Sequence, residues 1–193
     1  MRLFLIISLV CVCGITAKRR NKFAGMETRL DKIIDSNLFT AVDLTGGTCR
    51  QSSTTHEGEP ARAIDDKADG LWGSAGCTHT ANEAYPWWEL TLPTSTCIYS
   101  VSILNRKDCC RERLAGAKIY ISEDEPNHST RDVGTLCQTV SNKDATLTSE
   151  IAYPCASPIT GKYITIQHES EEARILTLCE VKVTRGKGCQ NES

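Results

Sequence analysis

From residue 42 onward the chain contains no run long and periodic enough to form a helix, and this limits its fold more than any other feature. In its place come short stretches rich in β-branched and aromatic residues: "WWELTL", "CIYSVSILN", "AKIYIS", "KYITIQH" and "LCEVKVT". Several alternate apolar with polar positions, as at Val101 and Ile103, at Ile119 and Ile121, and where Tyr163 opposes Ile164 and Ile166 across the pleat. Clusters of Gly, Pro, Asn and Asp separate them. This pattern predicts an all-β sandwich or barrel. No internal repeat is present, so a single domain is the simplest organisation.

The segments before that region point to the compartment. "MRLFLIISLVCVCGITA" has one early arginine, an apolar run and small residues ending at Ala17. It reads as a signal peptide over residues 1–17, shorter than the roughly 20 apolar residues of a spanning helix, with an uncleaved anchor as the alternative. A secreted, extracellular protein follows. Residues 18–41 read as a linker: basic "KRRNKFAG", then Met26, Leu30, Ile33, Ile34 and Leu38 at roughly helical spacing. That spacing suits one short amphipathic helix, docked on its own domain or self-associating. The β-rich domain spans 42–186, and 187–193 is a C-terminal tail. Asn127-His128-Ser129 is an N-glycosylation sequon in a turn-like stretch; Asn191-Glu192-Ser193, at the extreme end, is a poorer acceptor. The net charge of −2 gives no general attraction to nucleic acid, and nothing after the leader would insert in a membrane.

Secretion also changes how the cysteines read. Losing Cys11 and Cys13 with the leader leaves nine of the eleven, at 49, 77, 97, 109, 110, 137, 155, 179 and 189. Outside the cell these are disulfides before they are zinc ligands or catalytic thiols. An odd number leaves at least one thiol free or bonded to another chain. The adjacent pair in "NRKDCCRERL" (105–114) is the unusual one, flanked by Arg106, Lys107, Arg111 and Arg113. Neighbouring Cα atoms lie about 3.8 Å apart, whereas relaxed disulfides prefer about 5.5–6 Å. Spacing alone leaves two readings open: a strained Cys109–Cys110 bond, or separate partners for each, one of them Cys97.

Together these residues carry a resemblance. His79, twenty-six intervening residues, Arg106-Lys107-Asp108, four more residues and Arg113 reproduce the sugar-binding spacing of the F-type lectins, the eel-agglutinin-like fucose binders. "GCTHTANEAYPWWELTL", "SVSILNRKDCCRERLAGAKIYIS" and "LTLCEVKV" resemble the same family, as do "RQSSTT" and "ARAIDD", so the likeness covers about residues 42–185. It implies an eight-stranded jelly-roll, discoidin-like β-sandwich and a calcium-dependent, non-enzymatic lectin for fucosylated glycans. By resemblance, His79, Arg106 and Arg113 grip the ring oxygen and the hydroxyls at carbons 3 and 4 of L-fucose, and Asp108 orients the arginines. The chemistry agrees: guanidinium forks and an imidazole offer donors in fixed geometry to a neutral sugar. The resemblance also implies a Cys109–Cys110 plate against the carbon-1 and carbon-2 edge, with the 6-methyl in an apolar pocket nearby.

It further implies bridges Cys77–Cys179 and Cys137–Cys155, leaving Cys49, Cys97 and Cys189 outside the family pattern. Cys49 pairing with Cys189 and leaving Cys97 buried and free is one arrangement; a subunit link through Cys189 is another. The implied calcium ligands are the side chains of Asp65 and Glu180 and the carbonyls of Arg62, Lys67, Gly76 and Cys179. Here the chain departs from the family: "RAIDDK" stands for "NAVDGN", and Gly76 for a serine whose hydroxyl is lost. Asp66 in place of glycine is expected to strain the turn. A homotrimer is the implied assembly. Two other classes compete. An enzyme would use His79 with Asp108, but no nucleophile elbow accompanies them. A discoidin-like module would bind lipid or protein through exposed apolar loop residues, whereas Trp72, Trp87 and Trp88 are expected in the core.

Overall fold

The alternation in "WWELTL" and "KYITIQH" sets the register of the central ladder. The computed structural model describes residues 39–186, as seven strands: β1 (Phe39–Ala41), β2 (Thr48–Gln51), β3 (Trp87–Leu104), β4 (Lys118–Ser122), β5 (Thr135–Thr139), β6 (Ile151–Gln167) and β7 (Glu180–Gly186). Every pairing is antiparallel, in the order β1-β7-β3-β6-β4-β5 with β2 beside β3. Trp88, Ile166 and Ile119 stand opposite one another on β3, β6 and β4, and Leu90, Ile164 and Ile121 form the next rung. All six side chains are fully buried.

Farther along β3 the partners change. Val101 and Ile103 pair with Val183 and Val181 of β7 and with Tyr153 and Ile151 of β6. Register shifts between Thr91 and Thr96, and between Ile98 and Ser100, bend the strand there. β3 and β6 therefore pass through both layers of a β-sandwich, and the apolar residues of both halves meet in one cluster. Seven strands among the described residues, where eight were expected, reflect this continuity of two strands of 18 and 17 residues.

The domain also begins earlier than its sequence boundary at 42. Phe39–Ala41 pairs with Gly186 to Thr184, and the Phe39 ring lies 4.0 Å from that of Tyr99. The leader, the Met26–Leu38 segment, Cys189 and the tail lie outside the described residues, within which no helix is long and apolar enough to cross a membrane.

Three bridges close within the described residues: Cys77–Cys179, Cys109–Cys110 and Cys137–Cys155. The arrangement with Cys49 paired and Cys97 free is reversed. Cys97 is disulfide-bonded, and Cys49, on β2 opposite Leu90, is the free thiol among the described residues. Burial pushes that thiol up to about 12, so it is an inert core-edge group rather than a nucleophile. Ile164→Ala, emptying the middle of the Leu90–Ile164–Ile121 rung, is expected to cost about 2–5 kcal/mol. Urea unfolding checks it; a loss below about 1 kcal/mol would show that this rung does not hold the layers together.

Candidate functional site

The loop leaving β3 is organised by a residue with no sequence signal, Asn105. Its buried amide donates to the carbonyls of Arg111 and Ala145, 2.9 Å each, and its oxygen accepts from the Arg106 amide at 2.8 Å. Leu114, fully buried, pins the far end through the short 3-10 turn Arg111–Leu114. Between these anchors the chain projects Arg106, Asp108, the Cys109–Cys110 pair and Arg113. Cys110 sits in the left-handed region at φ 59°, where a bonded neighbour holds it.

Asp108 does what an orienting carboxylate should. Its oxygens accept from Arg106 Nε at 3.0 Å and Nη2 at 2.9 Å, a bidentate pair. They also accept from the amides of Cys109 (3.1 Å) and Trp72 (3.3 Å). The Arg106 guanidinium holds this carboxyl at about 2, well below the ordinary range. Arg106 itself is buried, and its pairing leaves Nη1 unspent.

His79 enters from the segment before β3. Its backbone is clamped between Thr55 and Gly58, by Thr55 N to His79 O and His79 N to Gly58 O, both 3.0 Å. Gly58 has to be glycine for this approach, because a Cβ there would lie 2.5 Å from the His79 Cβ. The ring's Nδ1 is 2.7 Å from the Thr80 carbonyl, which only accepts, so Nδ1 carries the proton. Nε2 then accepts from Arg113 Nη1 at 3.1 Å. Burial first, then the charges of Arg113, His56 and Arg106, lower the imidazole's pKa and keep it neutral. His168, missed in the sequence, donates from Nε2 to the Arg113 carbonyl at 2.7 Å and so steadies the same loop.

Trp72 corrects an expectation. Trp88 is buried, with its indole donating to Pro60 O at 2.9 Å, and Trp87 stacks on His128 at 3.7 Å. Trp87 and Trp72 are thus only half-buried, not core as expected, and Trp72 forms a wall of the site. Its ring meets His79 edge-on at 5.3 Å and lies 5.0 Å from the Arg106 guanidinium, while His56 packs 4.9 Å from His79 on an exposed loop. The result is a hollow lined by a neutral imidazole acceptor, two guanidiniums, a disulfide and an indole.

The residues of the expected metal set lie on Pro60–Ile64, the turn after it, the Cys77–Cys179 bridge and the start of β7. Glu180 is buried, and its Oε2 has no hydrogen-bond partner. Burial, then Asp66, Asp65 and Glu150, push its carboxyl up to about 7. Asp65 Oδ1 accepts from the Lys67 amide at 3.1 Å, and Oδ2 pairs with the Lys67 ammonium at 3.1 Å. Asp66 takes φ 60°, the strain expected of a side chain in a glycine position. Gly76 is packed tightly, since a Cβ there would lie 2.5 Å from Asp69 Oδ1. No three His, Cys, Asp or Glu side chains converge as a metal cluster among the described residues. Two carboxylates with carbonyls suit a hard cation such as calcium and not zinc, and the orphaned Glu180 oxygen fits one. Asn127 is exposed; its Oδ1 accepts from the amides of Ser129 (3.1 Å) and Thr130 (3.2 Å).

Comparison with known proteins bears on the family and the fold. Residues 62–166 match the family model of the NedA-like, galactose-binding domain. Fucolectin-6 of Anguilla japonica is 33% identical over 153 residues, covering 79% of this chain and 77% of its own length. Fucolectin-1 of the same species is 35% identical over 124 residues, of which the match covers 66%. Among solved structures, an f-lectin (fucolectin) from Morone saxatilis serum superposes with a TM-score of 0.63 at 28% identity, covering 74% of this chain. The match spans 46% of that longer chain, about half its length. A Streptococcus pneumoniae fucose binding module superposes with a TM-score of 0.60 at 26% identity, covering 72% of this chain and 90% of the module.

The two buried histidines are expected to hold opposite tautomers, Nδ1–H at His79 and Nε2–H at His168, and both to titrate below the ordinary 6.5. The unfolded chain takes up these protons first as pH falls, so acidification through 6.5 removes stability. Ring 15N chemical shifts check both points; an Nε2–H tautomer at His79 would contradict its acceptor role toward Arg113.

Proposed function

Because the chain belongs to the F-type lectin (fucolectin) family, we propose that it binds terminal L-fucose on glycans through His79, Arg106 and Arg113. The observation that carries this reading is the pairing of Arg113 with a neutral His79 beside an Arg106 already oriented by Asp108. The guanidiniums of Arg106 and Arg113 can then donate to the sugar's ring and hydroxyl oxygens, and a hydroxyl that takes the place of Arg113 at Nε2 of His79 can donate there while it accepts from a guanidinium. The Cys109–Cys110 pair supplies a weakly hydrated surface for the carbon-1 and carbon-2 edge, and Trp72 with His56 an apolar side for the 6-methyl. Like its family, the protein is a lectin and not an enzyme.

Calcium is proposed as a structural ion, held by Asp65 and Glu180 and the carbonyls of Arg62, Lys67, Gly76 and Cys179. The buried, unpartnered Oε2 of Glu180 supports it. We also propose secretion, N-glycosylation at Asn127 and assembly into a homo-oligomer. Three disulfides within the described residues favour an oxidising compartment. The small size of the site supports assembly. Three polar contacts in competition with water give weak monovalent affinity, and linked sites raise it by about 10²–10⁴.

Arg106→Ala should weaken L-fucose binding about ten- to a hundredfold, or about 1.5–3 kcal/mol, in isothermal titration. Arg106→Lys should not restore it, because an ammonium lacks the planar fork that Asp108 orients. Retention of the alanine variant on fucose-agarose at the wild-type level would refute the assignment, and gain of anionic liposome binding would favour the discoidin-like alternative.

Added calcium should raise the melting temperature and chelator should lower it, with free fucose absent. A melting curve indifferent to both would remove the ion from the structure. Light scattering on the secreted, glycosylated protein should give a multiple of the protomer mass, a homotrimer by family resemblance; a strict monomer would leave a monovalent binder.

A further inference from the structure

Trp72 is approached by a second guanidinium that the fucose site does not use. Arg62, on the Pro60–Ile64 turn, places its guanidinium carbon 5.7 Å from the centre of that ring, while Arg106 lies 5.0 Å from it. The two arginines are compensated very differently. Arg106 is neutralised by two bonds to Asp108. Arg62 has no carboxylate partner among the described residues, and its one hydrogen bond, Nη1 to the Cys77 carbonyl, is long at 3.5 Å. Arg113 likewise spends its charge on a neutral imidazole. One carboxylate thus serves three guanidiniums around Trp72 and His79.

Bringing like charges against one half-buried ring is unfavourable unless something neutralises them. A neutral deoxy sugar brings no charge. The arrangement of Arg62 is instead that of an anion receptor: contact with the indole face limits the planar group's freedom and leaves most of its five donors available. Two parallel donors of such a fork match two oxygens of a sulfate or carboxylate. Arg62 packs on Trp72, which in turn meets His79, so it stands one side chain away from the proposed fucose clamp. The molecule's net charge is −2, so general attraction to acidic glycans does not account for it.

We propose that Arg62 makes this site selective for acidic fucosylated glycans, by pairing with a sulfate ester or carboxylate on the sugar adjoining the terminal fucose. The proposal rests on the fucose reading above and names the ligand class within it.

The test titrates the full mature protein with L-fucose, a neutral fucosylated trisaccharide, and the sulfated and sialylated forms of that trisaccharide. The acidic forms should bind on the order of tenfold more tightly than the neutral one at low ionic strength. The advantage should shrink as salt is added. Whichever acidic form shows it identifies the source of the anion. Arg62→Gln should bring the acidic-to-neutral ratio close to one, and Arg62→Lys should keep part of it, as charge without a fork. The readout is a ratio within each variant, so a general loss of affinity or stability does not imitate the result. Equal affinity of the wild type for neutral and acidic forms, or an undiminished ratio in Arg62→Gln, would overturn the proposal. Failure of L-fucose itself to bind would remove the fucose reading, and this one with it.

Discussion

The bidentate pair between Arg106 and Asp108 ties the site together. One carboxylate holds the guanidinium in plane, accepts the Cys109 amide that starts the vicinal disulfide, and accepts the Trp72 amide from a loop more than thirty residues earlier. Without Asp108, Arg106 would be a buried cation with no counter-charge, which folding does not tolerate cheaply. With it, two loops that share no secondary structure are fixed relative to each other. The rest of the hollow is built on that junction: Trp72 positions itself against His79, and His79 meets Arg113.

Four of the seven non-glycine residues at positive φ among the described residues fall in the same loops, while Asp66, Tyr85 and Arg131 lie elsewhere. His56 and Glu57, Ala75 and Cys110 all occupy positive φ without being glycine. They lie in the three loops that carry His79's neighbours, the Trp72 turn and the disulfide. Each costs on the order of 1–3 kcal/mol, and such costs persist only where surrounding structure enforces them. The enforcement comes from the sandwich. β3 pairs with β6 through both layers, and its buried rungs fix the ends at which these loops enter and leave it. A rigid scaffold with strained loops at one end is pre-organised for a ligand, because little ordering remains to be done on binding.

Much of this was legible in the sequence, for particular reasons. The alternation at Ile119, Ile121, Ile164 and Ile166 encodes a face, and the structure buries it. The spacing from His79 through Arg106 and Asp108 to Arg113 encodes a site, and the structure gathers those residues. What escaped depends on contacts distant in sequence. Trp72 looks like core by composition, but an indole near two guanidiniums is stable half exposed. Asn105 and His168 carry no motif, since their role is to satisfy carbonyls of loops that only the fold brings near. Cys49 and Cys97 are indistinguishable as letters, and only the fold shows which is bonded. Gly58 was one turn residue among many until His79 packed against it.

The electrostatics of the two sites are complementary in sign. Around Trp72 guanidiniums outnumber carboxylates, and His79 gives up its charge to live there. At the start of β7, Glu180 is surrounded by Asp66, Asp65 and Glu150 and keeps its proton to near neutral pH. A small apolar cluster of Cys77, Cys179 and Leu104, with Trp72 packed on it, joins the two, and the 102-residue separation bridged by Cys77–Cys179 locks them in place. Arg62 belongs to both sides, its carbonyl in the candidate cation set and its guanidinium on Trp72. Neutralising the carboxylates with a cation removes part of the field that offsets the arginines, which leaves the sugar side more positive. A cation held at Glu180 would therefore favour an anion beside Arg62, each making room for the other's charge.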